Sequence, residues 1–417
     1  MVSALGGIAP GGARAVARCD TLGVAPYSDM AGGLYRGYLT PAYAAAQDAV
    51  AGWMAEAGMV VTRDAAANLI GRYEGSDADA PALLIGSHLD SVRDAGRYDG
   101  PLGIMLGIEC VAALHAQGRR LSFPIEVIAF GDEEGSRFPA AMLTSRAVAG
   151  TLAAQALAIV DADGVALGKA GVDVARYLSA RRAPGTTLAY LEAHIEQGPV
   201  LEAQGLAVGT VTGIAAQLRY QLTITGTAGH AGTSSMGLRR DALAGAAEMM
   251  VAIEGIARRD ASDLVATVGR IEALPGAANV IPGTARFTLD VRSGDPQRRD
   301  RAAGAMLDEV AAICARRGLD FAIERVHDLP ASPCDDRLMA LMDAAIVQAG
   351  APPFRLVSGA GHDAMVMAAL CPTAMLFIRC AGGVSHNPAE AVDAADVEVA
   401  LAVMLHFIDG LGETIEP

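Results

Sequence analysis

The sequence predicts an α/β protein: a mostly parallel sheet flanked by helices, interrupted by an inserted α+β domain of ferredoxin-like β-α-β-β-α-β order. Three observations carry that expectation. From about residue 41, helix-like and strand-like segments alternate, the pattern of parallel strands joined by crossover helices. After about Gly213 the pattern changes, and from Asp335 the first alternation resumes. Hydrophobic residues make up 52% of the chain and aromatics only 4%, with 48 glycines, so the core is drawn mainly from Ala, Val, Leu and Ile between tight turns. A length of 417 residues favours two domains over one. The expected boundaries are 1–213 with 328–417 for the first domain and 214–327 for the insert.

Apolar residues recur at helical spacing over 42–57, whereas 82–86 is an apolar run too short for a helix and reads as a buried strand. By the same criteria 104–116 is a helix and 125–130 a strand. Ligand sites in open α/β sheets lie beyond the carboxyl ends of the strands, which singles out His88 after the first strand and Glu133 and Glu134 after the second. In the insert, 218–225 alternates as a half-exposed strand, 238–257 is helical, 264–271 and 285–291 are strands, 299–317 is helical, and 321–326 is a last strand. Then come a helix over 335–349, a helix opening near Gly361-His362-Asp363, and a strand over 373–379. A loop carrying His386 and a final helix from about Ala394 complete the first domain.

The net charge of -15 argues against a nucleic-acid partner, which needs a basic surface that Arg239-Arg240 alone does not supply. Six cysteines (Cys19, Cys110, Cys314, Cys334, Cys371, Cys380) are scattered without close pairs and read as reduced thiols of a cytoplasmic protein. Gly6-Gly7, Pro10-Gly11-Gly12 and Arg14 interrupt any signal-peptide pattern. No apolar run reaches the about 20 residues that cross a bilayer, so no membrane partner is expected.

His88, His194 and His386 sit beside glycines or carboxylates in turn-like contexts. Neutral imidazole together with ionised Asp or Glu suits zinc, manganese or cobalt, though each histidine alone can equally cap a turn. In His88-Leu89-Asp90, residues two apart in extended chain share a side, so Asp90 can accept from the distal nitrogen of His88 and fix the ring; a surface pair is the alternative. Asp99, between Tyr98 and Gly100, is either a turn aspartate or a bridge between two metals. Glu133 and Glu134 point different ways at a strand end, so one can bind metal while the other serves as general base. A solvated acidic turn, or an N-cap by Asp132, is the other reading of that segment.

Five ordered motifs stand out: Gly86-Ser87-His88-Leu89-Asp90-Ser91, Tyr98-Asp99-Gly100-Pro101-Leu102-Gly103, Gly131-Asp132-Glu133-Glu134-Gly135-Ser136-Arg137-Phe138, Glu192-Ala193-His194-Ile195-Glu196-Gln197-Gly198 and Gly383-Val384-Ser385-His386-Asn387-Pro388. Together they closely resemble the hydantoinase/carbamoylase family of metal-dependent amidohydrolases, and the resemblance runs from about residue 20 to about residue 410. Members of that family include N-carbamoyl-L-amino acid hydrolases and allantoate amidohydrolases. The resemblance implies a metallohydrolase domain with two divalent metal ions per subunit, zinc or manganese, with cobalt or nickel also compatible. It places His88 and His194 on one ion, Glu134 and His386 on the other, Asp99 between them, and Glu133 as the base that activates water. His194 separates this family from related aminoacylases and exopeptidases, which usually carry a carboxylate there.

The same resemblance makes the insert a lid and dimerisation domain. His230, in Gly229-His230-Ala231-Gly232-Thr233, would steady the scissile carbonyl, often across a homodimer. Thr233-Ser234-Ser235-Met236 lacks the proline often found in that loop. Asn279 and Arg292 would hold a substrate carboxylate, Gln197 a ureido group, and Gly361 and His362 would line the pocket near helix N-terminal amides able to hold an anion. The implied partner is a small ureido or carbamoyl carboxylate, bound by domain closure about hinges near Gly213 and Asp328. An aminoacylase or dipeptidase is the enzymatic alternative. A non-catalytic binding protein gains little support, because all five metal positions and Glu133 are present.

Overall fold

A computed structural model describes residues 9–415; Gly6-Gly7 of the interrupted start lies outside them. The chain divides into two compact units. One runs through Thr212 and takes in Cys334–Leu356 and the segment from Ala360; the other comprises Gly213–Pro333 with Val357–Gly359. The strands of the first half are β1 (Val60–Arg63), β2 (Leu69–Tyr73), β3 (Ala82–His88), β4 (Ile125–Phe130), β5 (Thr187–Ile195) and β6 (Val208–Ile214). The insert carries β7 (Ala216–Thr225), β8 (Gly229–His230), β9 (Val265–Thr267), β10 (Ile271–Leu274), β11 (Val280–Ile281), β12 (Thr284–Ser293) and β13 (Asp320–Leu329). There follow β14 (Ser332–Pro333), β15 (Arg355–Ser358) and β16 (Thr373–Ile378).

In the first unit the sheet order is β1-β2-β4-β3-β5-β16-β6. The four central strands, β4, β3, β5 and β16, are parallel, and the flanks are antiparallel. Every residue of β3, β4 and β16 is buried, as expected for strands covered on both faces by helices. The helix Pro101–Ala116 has no polar stripe, and its residues from Pro101 to Ala112 are all buried, so it is an interior element. Its one carboxylate, Glu109, is held by Arg14 at 2.8 Å and Arg18 at 2.9 Å from the helix Gly12–Leu22, which the sequence pattern had not indicated. Helix Pro101–Ala116 starts earlier than the apolar spacing indicates because Pro101 takes the first helical position, where its missing N–H costs nothing.

Parallel strands all end at one edge of the sheet, and here that edge collects the chemistry. β3 ends on His88, β4 leads to Glu133 and Glu134, β5 carries His194 next to its last residue, and β16 leads to the loop of His386. His88 and His194 therefore sit in strands, contrary to the turn-like contexts read from their neighbours. The sequence of β5 was not legible as a strand because Glu192 and His194 interrupt its apolar run.

In the second unit the sheet order is β10-β12-β7-β13, fully antiparallel, with β9 also on β12. The helices Ala242–Asp260 and Pro296–Arg317 supply Met249, Ile253, Met306, Val310 and Ile313 to a core shared with Leu222, Ile224, Phe287 and Leu289. This is the β-α-β-β-α-β order expected from the alternation. The run 264–271 breaks into β9 and β10, with Gly269 in the gap. The first helix begins at Ala242 rather than 238 because Asp241 caps it, accepting from Ala244 N at 3.0 Å. No helix among the described residues is long and apolar enough to cross a membrane. All six cysteines are free and buried.

Candidate metal centre

Asp99 stands at the centre of the site. Its Oδ1 lies 3.4 Å from His88 Nε2 and 3.1 Å from His194 Nε2, while its Oδ2 lies 3.2 Å from His386 Nε2. His386 Nε2 is in turn 3.3 Å from Glu134 Oε1. One carboxylate thus faces two imidazoles with one oxygen and a third with the other. Among the described residues, three groups have ligand atoms all within 4.8 Å of one another: His88, Asp99 and His194; Asp99, Glu134 and His386; and His88, Glu133 and Glu134.

The donor set fits divalent metal ions. His88 Nδ1 faces the main-chain carbonyl of Asp90 at 3.1 Å, and His194 Nδ1 that of Ile195 at 2.9 Å. A carbonyl only accepts, so in the neutral ring each Nδ1 carries the proton and each Nε2 turns a lone pair toward Asp99. Lone pairs facing a carboxylate call for a cation between them. His194 Nε2 is moreover buried without a hydrogen-bond partner, an orphan that a metal bond would satisfy. Burial opposes charge on His88 and His194, but Asp99 and the neighbouring carboxylates outweigh it and raise both. His386 is raised to about 10 by Asp99 and Glu134. Burial pushes the Glu133 carboxyl well above the usual range, with Asp363, Glu134 and Asp90 adding to it against the pull of His88.

Main-chain geometry holds these groups. Gly100 has φ +85°, and a Cβ there would fall 2.6 Å from the His88 ring, so only glycine lets helix Pro101–Ala116 start against that imidazole. Asp90 acts differently from the expectation. Its carboxylate is 3.7 Å from His88 Nδ1, beyond a hydrogen bond, and its two oxygens accept instead from Glu133 N at 3.2 Å and Glu134 N at 3.3 Å. Asp90 turns its main-chain carbonyl, not its side chain, to the imidazole because its carboxylate is committed to the segment carrying the two glutamates.

The expectation for Gly361 and His362 is corrected in one respect. The helix they precede, Asp363–Met367, is a five-residue turn, and its Ala364 amide donates at 2.8 Å to Glu192, so the anion held there is the chain's own. Glu192 also accepts from Ser87 Oγ at 3.0 Å, tying β5 to β3 beneath the histidines. The His362 ring lies 4.4 Å from that of His194 and 5.7 Å from Phe377; burial first, then His194, hold it neutral. Gly361 lies close against Met142. Gln197, at φ +57°, donates to Asp99 Oδ2 at 2.9 Å and Ser385 Oγ at 3.2 Å, which leaves its buried Oε1 without a partner. Sequence reasoning had no role for Glu192 or Ser385; the available signal was a polar residue inside an otherwise apolar strand or glycine-rich loop.

His230, Asn279 and Arg292 belong to the second unit. β8 pairs with β11, setting His230 opposite Val280, and Ala231 N donates to Asn279 O at 3.0 Å. His230 Nδ1 accepts from Gly232 N at 3.0 Å, so a neutral His230 carries its proton on Nε2, as a donor. Arg292 is forked onto Asp290, with Nε 2.7 Å from Oδ1 and Nη2 3.1 Å from Oδ2. Asp290 also receives Gln217 and Arg219, each at 2.6 Å, at a cleft of about 640 Å³ that includes Tyr220, Thr267 and Thr288.

Comparison with known proteins places this geometry. Residues 84–410 match the model of peptidase family M20/M25/M40. The chain is 44% identical to an N-carbamoyl-L-amino acid amidohydrolase of Geobacillus stearothermophilus over 381 residues, 90% of this chain and 93% of that one. It is 40% identical to allantoate deiminase 1 of Glycine max, covering 95% of this chain and 89% of the other. The crystal structure of a hydantoinase/carbamoylase family amidase from Burkholderia ambifaria superposes with a TM-score of 0.89 at 38% identity, covering 96% and 97% of the two chains. The chain belongs to peptidase family M20/M25/M40, on its hydantoinase/carbamoylase branch.

Proposed function

We propose that this protein hydrolyses the carbon-nitrogen bond of a linear carbamoyl or ureido compound that bears a carboxylate, an N-carbamoyl-L-amino acid or allantoate. The observation that carries the reading is the placement of Asp99 between His88 and His194 on one side and His386 with Glu134 on the other, with Glu133 buried beside His88. Two divalent ions, zinc or manganese with cobalt or nickel also suited to these donors, would polarise the carbonyl and lower the pKa of water toward ~7. His88 and His194 would hold one, Glu134 and His386 the other, and Asp99 both.

The chain's own residues do the rest. Glu133, whose raised pKa suits a group that both takes and returns a proton, removes one from the attacking water and delivers it to the leaving nitrogen. Water adds across the amide, and with a carbamoyl substrate the released carbamate decomposes to carbon dioxide and ammonia. A ureido carbonyl shares its electron deficiency with two nitrogens and is a poor electrophile, so the Nε2–H of His230 is wanted as a donor to its oxygen. The Oε1 of Gln197 suits a ureido N–H, and Arg292 with Asn279 suits the substrate carboxylate. Joining the two sets requires closure of residues 214–327 over the metal centre, and that domain also serves homodimerisation. Free, buried cysteines suit a cytoplasmic location.

The test is ammonia release by metal-stripped protein reconstituted separately with manganese and zinc, on allantoate and on N-carbamoyl-L-amino acids. Turnover of one set is expected, and Glu133→Gln is expected to lower kcat by about 10²–10⁴-fold with metal content retained. Silence on every ureido substrate with metal bound refutes the reading and points to N-acyl amino acids or dipeptides.

A further inference from the structure

Glu390 lies 291 residues from Asp99 in sequence and takes no part in the chemistry above, yet it is buried at 5% exposure directly behind it. Its Oε1 accepts from both Tyr98 N at 2.8 Å and Asp99 N at 3.1 Å. Its Oε2 lies 3.2 Å from Ser385 Oγ, a hydroxyl that is also 2.8 Å from Asp99 Oδ2. A turn closed by Glu390 N on Asn387 O at 3.0 Å folds the side chain back beneath the loop that carries His386. One carboxylate therefore grips the two amides leading into Asp99 and the hydroxyl that adjoins His386. Gly96 makes room for it: a Cβ at that position would lie 2.1 Å from Glu390 Cδ, so the glycine is demanded by the approach of the carboxylate and not by its own φ.

We propose that Glu390 is the positioning residue that sets Asp99 as the bridging ligand and fastens its loop to that of His386. The proposal rests on the two-metal reading of the same site. Asp99 has to present its two oxygens to two sides at once, and a carboxylate can do so only if its backbone cannot rotate. Two amides fixed on one acceptor supply that restraint. Groups of this kind behind a ligand typically change metal affinity by about 10–100-fold when removed.

The experiment uses the full chain, stripped by chelator and titrated with zinc and with manganese against a chromophoric competitor, with melting of each metal-free form recorded alongside. Glu390→Ala is expected to weaken binding of at least one ion by about 10–100-fold, with the metal-free form still folding cooperatively but melting at a lower temperature, because the Tyr98 and Asp99 amides lose their acceptor. Glu390→Gln is expected to retain affinity, since its carbonyl still accepts from both amides and Ser385 can accept from the new amide group while donating to Asp99. Gly96→Ala should weaken binding comparably, and Gly96→Ala combined with Glu390→Ala should be no worse than Glu390→Ala alone, because the clash has lost its partner. Wild-type affinity in Glu390→Ala overturns the proposal, as does Glu390→Gln binding as poorly as Glu390→Ala, or losses that multiply in the double variant. If metal-free Glu390→Ala fails to fold, Glu390 supports the fold and the proposal also falls. A wild-type chain that takes up no metal is a different result: it removes the two-metal reading itself, and the proposal with it.

Discussion

Replacing Asp90 with asparagine separates positioning from ligation, because Asp90 touches neither substrate nor the metal-facing atoms. In the native chain each of its oxygens accepts one amide, Glu133 N at 3.2 Å and Glu134 N at 3.3 Å, in a site with no solvent access. Asparagine offers one oxygen and one NH₂ group, so in either orientation one of the two amides faces another donor. A buried donor left without an acceptor costs about 1–3 kcal/mol, which the segment can relieve only by moving the two glutamates. Movement of Glu133 away from the attacking water is felt as a lower kcat. A loss of about 10–100-fold corresponds to ~1.4–2.8 kcal/mol, within the range of that cost. KM should change little, since ground-state binding is not touched. Steady-state ammonia release on the preferred ureido substrate, with metal content determined on the same sample, is the assay. A kcat within twofold of the wild type, at full metal content, refutes the argument that these two amide bonds place the base.

Two further outcomes follow from the same geometry. Asp132 and Asp363 are pushed up to about 8, chiefly by burial, from an ordinary value of 3.8, so between those values the folded chain holds protons that the unfolded chain has lost. Their contribution to stability is complete below about 4 and disappears as pH rises through about 8; the metal-free protein should therefore melt at lower temperature as pH is raised from 5 to about 8, and a flat profile would contradict the burial argument. Arg292→Lys removes the fork that Asp290 now holds, and a point charge cannot replace two parallel hydrogen bonds, so KM should rise by about tenfold or more with kcat nearly unchanged; an unaltered KM would remove Arg292 from the substrate site.

The fold was legible where burial leaves a simple pattern. β16 is apolar after Thr373 and β4 is apolar apart from Glu126, and β4 was read to the residue. The alternation in β7 marked a strand with one covered face. Reading failed where a second demand was written over the pattern. β5 has a glutamate and a histidine among its apolar residues because it serves the site as well as the core. Helix Gly12–Leu22 hides behind Arg14 and Arg18, charges that look solvent-facing until Glu109 is placed between them.

The candidate metal ligands stand out in the sequence for a reason that does not extend to the residues behind them. A ligand must be one of a few side-chain types at a strand end, and that requirement shows in the string of letters. What Asp90, Glu192 and Glu390 hold is main-chain N–H, at Glu133 and Glu134, at Ala364, and at Tyr98 and Asp99. An amide has no letter, so nothing in the sequence can say which one a carboxylate will face across 43 residues or 292. Each of these carboxylates restrains a segment through groups common to every residue type, so the segment's side chains remain free to be the ligands and the base. A site built this way keeps its geometry through three buried acceptors, and changes in any of them should register as altered metal affinity or kcat before they register as altered fold.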